Sequence, residues 1–427
     1  MQQKLQQGRH SREKGAILQA MTEKVTAVKT TFFGKGAVRM LIPELKKLHI
    51  QRAMIVTDSF LYQSGAAKRV GDVLSEAGLE YLVFYKVAPN PTVDIINACI
   101  EAVKHFHIEL LVALGGGSAI DTAKASSIVS ANGGNVEDYE GIDKSQKPGI
   151  PIVVVNTTAG TGSECTTYYI VTNPVTHSKM TMVDANCMVS IAVNDIDFMS
   201  SMPPKLTAAT GMDALTHAIE AVLSINATPF TDKDALWAIQ SVHEFLPRAY
   251  HNGQDEEART MMAYAENVAG MAFSNAGLGM IHAMAHALGG RYNLPHGLCN
   301  AVLLPYVLTF TAEHASTGNN FCKIAEAMHL KGCDREAAKN NIGFQSREVR
   351  DPSDAESGAA VLVIAEIHRL NSELGIASSL KDLKGVKPDD FGSLADLALR
   401  DGCMATNPIQ PSKQQVIDTY MMAYKGL

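Results

Sequence analysis

Short apolar runs in the first half of the chain limit the fold most strongly. Each run is bounded by Gly, Pro, Asp or Asn, and helical patterns lie between the runs, as at residues 66–77 and 94–106. The four clearest runs are residues 53–57, 81–84, 110–114 and 152–155. Continuous apolar runs of this length are typical of strands that are buried on both faces of a parallel sheet. The pattern therefore predicts an α/β unit with a doubly wound parallel sheet.

The pattern changes at Met202-Pro203-Pro204, after which the strand signal stops and long helical periodicity takes over. Proline cannot continue a central strand and readily opens a helix. A chain of 427 residues also exceeds one ordinary domain. We therefore predict an N-terminal extension at residues 1–24, an α/β domain at residues 25–203 and an all-helical domain at residues 204–427.

The composition argues against several classes of protein. The net charge is −7 and the chain has no basic cluster, which argues against a nucleic-acid partner. No apolar run approaches the roughly 20 residues that span a bilayer, so we expect no membrane segment. The seven cysteines are scattered and form no C-x-x-C pair. This pattern indicates reduced thiols in a cytoplasmic protein.

Five residues of the helical half have the spacing of metal ligands. Asp213 and His217 are four residues apart, His282 and His286 are four apart, and His296 follows in a Pro-His-Gly turn. Side chains at i and i+4 of a helix lie on one face, one turn apart. Imidazoles and a carboxylate suit a divalent ion such as iron or zinc. The spacing predicts a metal site, although it does not distinguish ligands from neighbours among these five.

Three segments of the chain resemble a known family. Residues 207–221 (T-A-A-T-G-M-D-A-L-T-H-A-I-E-A) and residues 271–290 (M-A-F-S-N-A-G-L-G-M-I-H-A-M-A-H-A-L-G-G) resemble the two signatures of the iron-dependent (group III) alcohol dehydrogenases. Residues 401–408 (D-G-C-M-A-T-N-P) are similar to a family segment near the C-terminus, and the likeness begins near Thr31. The resemblance implies a metal-dependent oxidoreductase that uses a nicotinamide cofactor.

The resemblance also separates the five candidate ligands. It implies that the metal is held by Asp213, His217, His282 and His296. It implies that His286 instead lies beside the nicotinamide and the substrate, where an imidazole with a pKa near neutrality relays a proton. Fe²⁺ is the usual ion of the family and Zn²⁺ occurs in some relatives. Iron is therefore the expected metal, and zinc stays open.

Two glycine-containing loops predict a nucleotide site. The first, G-G-G-S at residues 115–118, follows a predicted strand and opens a helix, although it does not match G-x-G-x-x-G. Glycine lets the backbone approach a phosphate, and a helix N-terminus offers unpaired N–H groups. The second, N-T-T-A-G-T-G-S-E at residues 156–164, follows the next strongly apolar strand. Two such loops at the carboxyl ends of adjacent strands predict a dinucleotide crevice.

The resemblance implies which residues contact the cofactor. Those in the two loops are Gly116, Gly117, Ser118, Thr157, Thr158 and Thr161. Asn90 matches a residue near the adenosine, and Lys179 matches one that approaches the nicotinamide ribose. Asp58 ends a predicted strand where the adenine ribose would lie, and a carboxylate there binds ribose hydroxyls but repels a 2′-phosphate. This favours NAD over NADP, unless Asp58 is only a strand-end turn residue.

The expected reaction is the interconversion of short primary alcohols and aldehydes. The ion would act as a Lewis acid on the alcohol oxygen and hold the carbinol carbon against C4 of the nicotinamide for hydride transfer. We expect Phe273 and Cys403 to line the substrate pocket. A lactaldehyde or propanediol oxidoreductase is an alternative in the same class. A dehydroquinate synthase-like lyase is an alternative in another class, but it needs a basic pocket, and the helical motifs contain no Lys/Arg cluster.

Residues 1–24 are rich in Gln and basic residues, and Ile17, Met21 and Val25 follow at helical spacing. A frayed tail or an expression region is one interpretation of this segment. A docking peptide is the other, because related alcohol dehydrogenases of bacterial microcompartments carry N-terminal extensions. The remaining partners that we expect are a small alcohol or aldehyde and further copies of the chain in a homo-oligomer.

Overall fold

A computed structural model describes residues 24–175, 178–317, 319–330 and 355–426 of the chain. The predicted N-terminal extension at residues 1–24, with both of its interpretations, therefore lies outside the described residues, except for Lys24.

The first part of the structure is built on a six-stranded sheet in which every neighbouring pair is parallel. The strand order is β1-β9-β6-β4-β2-β3. The described strands are β1 (Thr30–Phe33), β2 (Arg52–Asp58), β3 (Glu80–Val87), β4 (Leu110–Gly115), β5 (Gly141–Ile142), β6 (Ile152–Asn156), β7 (Tyr168–Asn173), β8 (Ser178–Val183) and β9 (Ile191–Asn194). The four apolar runs of the sequence are β2, β3, β4 and β6, so the predicted parallel sheet is confirmed.

Helices cover both faces of this sheet. They are α1 (Leu41–Lys46), α2 (Ser59–Gln63), α3 (Ala66–Glu76), α4 (Val93–His105), α5 (Gly117–Asn132) and α6 (Ile196–Met199). Side chains alternate along β2, so Ala53 and Ile55 pack with α1 and α3 on one face. Met54 and Val56 pack with α4 and α5 on the other face. Both faces are therefore buried, as the continuous apolar runs predict for a doubly wound sheet.

A second, three-stranded sheet lies beside the first, in the order β5-β8-β7. Strands β7 and β8 form an antiparallel pair. On β7, Tyr169 and Val171 are buried, whereas the alternate residues Tyr168, Ile170 and Thr172 are partly exposed. This sheet was not predicted. Its strands contain Thr, Lys and Tyr in place of a continuous apolar run, because only one face of β7 packs against the core.

The described residues from Pro204 onward form helices and 3₁₀ turns without a strand, which confirms the predicted helical part. The helices are α7 (Pro204–Leu223), α8 (Pro229–His251), α9 (Glu256–Ala276), α10 (Met280–Tyr292), α11 (His296–His314), α12 (Asn320–Ala327), α13 (Ala355–Glu373), α14 (Phe391–Arg400) and α15 (Lys413–Lys425). Their buried faces share one apolar core. Among the described residues, no helix is both long and apolar enough to cross a membrane.

The sheet part and the helical part meet at the loop that follows β6. Gly162 in this loop has a positive φ of 60°, and a Cβ placed on it would lie 2.7 Å from the Cα of Gly270 on α9. The loop backbone thus packs directly against a helix of the second part. Because β4 and β6 are neighbours and end at the same edge, both predicted nucleotide loops face the junction between the two parts.

Candidate metal and cofactor site

Four side chains of the helical part converge at this junction. Asp213 and His217 are one turn apart on α7, His282 lies in the first turn of α10, and His296 is the first residue of α11. Each offers one ligand atom, and these four atoms all lie within 4.8 Å of one another. Oδ1 of Asp213 is 3.5 Å from Nε2 of His296 and 3.8 Å from Nε2 of His282. Three helices thus bring the predicted ligand set together.

The electrostatics of this cluster suit a cation. Burial lowers the pKa of His217, His282 and His296 well below the ordinary value, so the imidazoles are neutral and keep lone pairs for a metal. Burial also raises the pKa of Asp213 to about 7, because water does not solvate its carboxylate. A divalent ion would compensate the buried carboxylate and accept the imidazole lone pairs. The residues therefore fit iron or zinc.

Glu220 and Asn300 surround the four candidate ligands. Oε2 of Glu220 is 2.6 Å from Nδ1 of His282, and Oε1 accepts a hydrogen bond of 2.7 Å from the backbone N–H of Ile281. With Nδ1 of His282 bonded to this carboxylate, Nε2 is left to face the centre. Nδ2 of Asn300 donates to Oδ1 of Asp213 at 2.6 Å. It also lies 3.0 Å and 3.1 Å from Nε2 of His282 and His296, so it faces the lone pairs that a cation would accept.

The fifth candidate, His286, has a different partner. Its Nδ1 lies 2.8 Å from Oδ2 of Asp401, and its ring stacks on that of His296 at 5.1 Å. Oδ1 of Asp401 accepts a hydrogen bond of 2.8 Å from the backbone N–H of Cys403. Burial acts to raise the pKa of Asp401, but the electrostatic interaction with His286 and these hydrogen bonds lower it to about 2. His286 is thus beside the four-atom cluster and paired with a carboxylate.

One cavity of about 730 Å³ joins this cluster to the sheet part. Its volume lies within the range of about 300–1,000 Å³ that is usual for small-molecule sites. The predicted cofactor residues that line it are Asp58, Asn90, Gly116, Gly117, Ser118, Thr158, Thr161 and Lys179. All four candidate ligands line it as well, together with His286, Phe273 and Cys403. Thr157 does not belong to the lining: it is buried, and its backbone N–H donates to the carbonyl of Gly115.

The two nucleotide loops touch each other. Gly116 precedes α5, whose first turn opens into the cavity. A Cβ on Gly116 would lie 2.7 Å from Oγ1 of Thr158, and one on Gly117 would lie 3.3 Å from Cγ2 of Thr161. Only glycine therefore fits at position 116 without displacement of the second loop. Free backbone N–H groups at a helix N-terminus suit a pyrophosphate.

Lys124 and Glu266 bind the backbone of the second loop and of the residues that follow it. Nζ of Lys124 is fully buried and donates to the carbonyls of Ser163, Thr166 and Tyr168 at 2.7, 2.7 and 2.8 Å. Glu266 on α9 accepts a hydrogen bond of 2.8 Å from the backbone N–H of Gly162. These contacts fix the loop against both α5 and α9 and give the cavity a rigid wall.

Asp58 and Asn90 line the cavity from the sheet part. Oδ1 of Asp58 accepts a hydrogen bond of 2.9 Å from the N–H of Leu61 and so caps α2. The same carboxylate also lines the cavity, so capping does not exclude a contact with a ribose. Nδ2 of Asn90 donates to Oδ1 of Asn293 at 3.2 Å, which connects the sheet part to the end of α10.

Aromatic rings form the wall beside the metal cluster. Phe273 stacks on the ring of His217 with centroids 4.3 Å apart and meets Tyr168 edge-on at 5.8 Å. Cys403 is buried and lines the same region, where burial raises the pKa of its thiol well above the ordinary value. The thiol is therefore neutral, and the wall around the cluster is largely apolar.

Comparisons with known proteins agree with this geometry. Residues 29–196 match the family described as iron-containing alcohol dehydrogenase, and residues 207–424 match the C-terminal part of the Fe-containing alcohol dehydrogenase family. The chain belongs to the iron-containing alcohol dehydrogenases. The resemblance predicted from the sequence is thereby confirmed.

Relatives of this alcohol dehydrogenase align over nearly their whole length. Alcohol dehydrogenase 4 of Saccharomyces cerevisiae (strain YJM789) is 42% identical over 395 residues, 92% of this chain and 97% of the yeast protein. The NAD-dependent methanol dehydrogenase of Bacillus methanolicus is 38% identical across 90% of this chain and 95% of the relative. A crystal structure of a 1,3-propanediol oxidoreductase has a TM-score of 0.84 and 38% identity, and it covers 95% of this chain and 100% of that chain.

These findings confirm that the chain is a metal-dependent, NAD-linked alcohol dehydrogenase of the iron-containing family. They give no support to the dehydroquinate synthase-like alternative. The roles of the individual residues in this chain stay predictions.

Several residues of the site were not predicted from the sequence. Glu220 and Asn300 follow His217 and His296 by three and four residues on their helices, a spacing that places them on the ligand face. Lys124 ends the segment G-G-G-S-A-I-D-T-A-K, but no pattern shows that it binds a distant loop.

Proposed function

We propose that this alcohol dehydrogenase interconverts short primary alcohols and aldehydes, with a divalent ion at Asp213, His217, His282 and His296. The observation that carries the proposal is one shared cavity. The four ligand atoms within 4.8 Å of one another line the same space as the two glycine-containing loops. A hydride acceptor and an oxygen-binding cation would therefore meet beside one small substrate.

When bound, the ion would supply a Lewis acid that lowers the pKa of the alcohol, and NAD would accept the hydride. The residues of the chain position the cofactor and the substrate and accept the proton. Gly116 and Gly117 admit the pyrophosphate to the N-terminus of α5, while Phe273 excludes water beside the reacting carbon. Nε2 of His286 would take the alcohol proton, because Nδ1 is occupied by Asp401.

The proposed substrates are short, since the ring of Phe273 lies directly against the ring of His217 and meets Tyr168 edge-on. A propanediol is the second candidate, and it is supported by the likeness to the 1,3-propanediol oxidoreductase structure. The two candidates differ in a distal hydroxyl, and the proposed partner of that hydroxyl is Tyr168 in the cavity lining.

Three finer predictions concern the surroundings of the enzyme. We propose assembly into a homo-oligomer, which sedimentation of the purified protein can test, and a cytoplasmic location, which fractionation of cells can test. A contact of residues 1–24 with a microcompartment shell or partner enzyme is a separate prediction. Fusion of this segment to a fluorescent protein tests it, and diffuse fluorescence in cells with assembled compartments would contradict it.

The test of the proposed function is a reconstitution assay. Protein stripped by a chelator is loaded with Fe²⁺ or Zn²⁺, and NADH formation is followed with ethanol, 1-propanol, 1,2-propanediol, 1,3-propanediol and 1-butanol. We expect His282→Ala to lose both bound metal and turnover, because it removes a ligand and the partner of Glu220. His105→Ala on the exposed surface is the control and should match the parent protein. Full turnover of stripped protein would contradict the proposal.

A further inference from the structure

A carboxylate with two fixed partners lies next to the proposed proton acceptor. Asp401 follows α14 and caps the 3₁₀ turn Gly402–Thr406 through a hydrogen bond of 2.8 Å from the N–H of Cys403 to Oδ1. Its other oxygen, Oδ2, lies 2.8 Å from Nδ1 of His286. The Asp401 and His286 side chains are each 8% exposed. The cap thus leaves the carboxylate little freedom to turn away from the imidazole.

The contact determines which nitrogen of the ring is free. A carboxylate only accepts hydrogen bonds, so Nδ1 of His286 carries a proton, and in the neutral ring Nε2 then keeps its lone pair. The ring lies between Asp401 and the neutral ring of His296, and it lines the cavity. No other carboxylate among the described residues forms a hydrogen bond to His286.

We propose that Asp401 is a positioning residue for the reaction: it holds His286 in the Nδ1–H tautomer, so that Nε2 accepts the proton of the alcohol. This rests on the proposed function. In the oxidising direction the O–H bond of the alcohol breaks and its proton passes to Nε2. The C–H bond breaks with its electron pair, which reduces NAD to NADH and leaves the aldehyde. Asp401 stays deprotonated throughout and receives Nδ1–H as a hydrogen bond.

The decisive substitution is Asp401→Asn, which keeps the size of the side chain. An amide that donates N–H to Nδ1 favours the opposite tautomer, in which Nε2 carries the proton and cannot accept another. The same replacement beside the histidine of the serine-protease triad lowers kcat about 10⁴-fold. General acid–base catalysis contributes about 10²–10⁴-fold, so we expect kcat to fall about 100-fold or more.

A double-substitution cycle separates positioning from general damage. Asp401→Asn should lower kcat strongly in the parent enzyme but less than about twofold in His286→Ala, since effects of residues that act as a unit are not additive. Bound metal and the Kd of NADH should stay unchanged. The matched control is Asp390→Asn: this carboxylate bonds to Tyr292 and Arg291 on the same helix as His286 but does not touch the histidine.

A second measurement does not depend on turnover. Nitrogen NMR of the zinc-loaded parent protein reports the tautomer of His286 directly, and we expect Nδ1–H in the parent and Nε2–H in Asp401→Asn. An Nε2–H tautomer in the parent, or an equal loss of kcat in both backgrounds of the cycle, would overturn the proposal while the proposed function stands. Two metal ions per chain would overturn it as well, because donor atoms of His286, Asp401 and Cys403 lie within 4.8 Å of one another. Absence of metal-dependent turnover in the parent would instead refute the proposed function.

Discussion

At the scale of single residues, two aspartates near the four candidate ligands behave in opposite ways. Burial raises the pKa of Asp213 to about 7, although the hydrogen bond from the neutral amide of Asn300 acts to lower it. Asp401 is also nearly buried, but His286 and the N–H of Cys403 lower its pKa to about 2. The carboxylate of Asp213 needs a nearby cation to be fully ionised at neutral pH. The carboxylate of Asp401 already has partners that keep it ionised. The two residues are of the same type, so it is their surroundings that distinguish a candidate metal ligand from a residue that positions a histidine.

The sequence could predict which side chains lie close together where their spacing along one helix decides the geometry. Asp213 and His217 are four residues apart, and the helix places both ligand atoms at one centre. Spacing alone did not separate His286 from His282. The partner that distinguishes His286 is Asp401, which is 115 residues away and reaches it only through tertiary packing.

The preference for NAD should depend on Asp58. Asp58 lines the cavity, where its carboxylate would repel a 2′-phosphate. Asp58→Gly should therefore raise kcat/KM with NADP relative to NAD, and a comparison of both nucleotides measures this. The substitution also removes the cap of α2, so Asp58→Asn, which keeps a capping oxygen, is the matched variant. An unchanged ratio in both variants would place Asp58 away from the ribose.

At the scale of elements, the pattern of burial decided which strands could be predicted. Strands β2, β4 and β6 are apolar without interruption because helices cover both faces of the sheet. Strand β9 was missed since its run, I-A-V-N, has only three consecutive apolar residues, one fewer than the shortest predicted runs. Strands β7 and β8 were missed because partly exposed residues interrupt their apolar pattern. Short and one-sided strands carry a weaker periodic signal than buried ones.

The contact between the two nucleotide loops predicts a strict requirement for glycine. In Gly116→Ala the new Cβ would meet Oγ1 of Thr158 at 2.7 Å, so one loop must shift. We expect the Kd of NADH, measured by fluorescence titration, to rise about tenfold or more, which is about 1.4 kcal/mol. Gly392→Ala on α14 is the control, because nothing lies within 4 Å of its Cβ. Equal affinities in the two variants would mean that the loops do not need this close contact.

The packing of α8 against α13 should depend on pH through Glu366. Burial acts to raise the pKa of Glu366, but hydrogen bonds from His243 on α8 and Arg369 on α13 lower it from 4.5 to about 2. A lowered folded-state pKa stabilises the protein above the unfolded value of 4.5, and this contribution is lost as the pH falls through about 2. After allowing for screening it is on the order of 1 kcal/mol.

Glu366→Gln should accordingly lower the midpoint of thermal unfolding at pH 7, and the difference from the parent should shrink at pH 4 and pH 3. Glu244→Gln, at an exposed position of α8, is the control and should change the midpoint little at any of these values. A difference between parent and Glu366→Gln that grows on acidification would contradict the assigned direction.

At the scale of the whole molecule, the two cofactors belong to different parts of the chain. All four candidate metal ligands lie on α7, α10 and α11, whereas the nucleotide loops follow β4 and β6. The sequence predicted both parts, because each has its own periodicity. It did not predict how they face each other, since the junction depends on single close contacts such as that between Gly162 and Gly270.

Metal binding should therefore stabilise the helical part by joining three helices. A ligand that binds only the folded state contributes about 2.7 kcal/mol at a free concentration of 100 times its Kd. We expect Zn²⁺ to raise the unfolding temperature of the stripped protein, measured by calorimetry, and to have little effect on His282→Ala. An equal rise in His282→Ala would show that the ion binds elsewhere.

The separate origin of the two sites has a consequence for evolution. None of the four candidate ligands comes from the sheet part, whereas Asp58 ends strand β2 of that part. Mutations that alter coenzyme preference and mutations that alter metal choice therefore arise at positions that do not touch. A lineage can change one trait while selection preserves the other, so descendants of one ancestral enzyme can diverge in metal and in coenzyme independently.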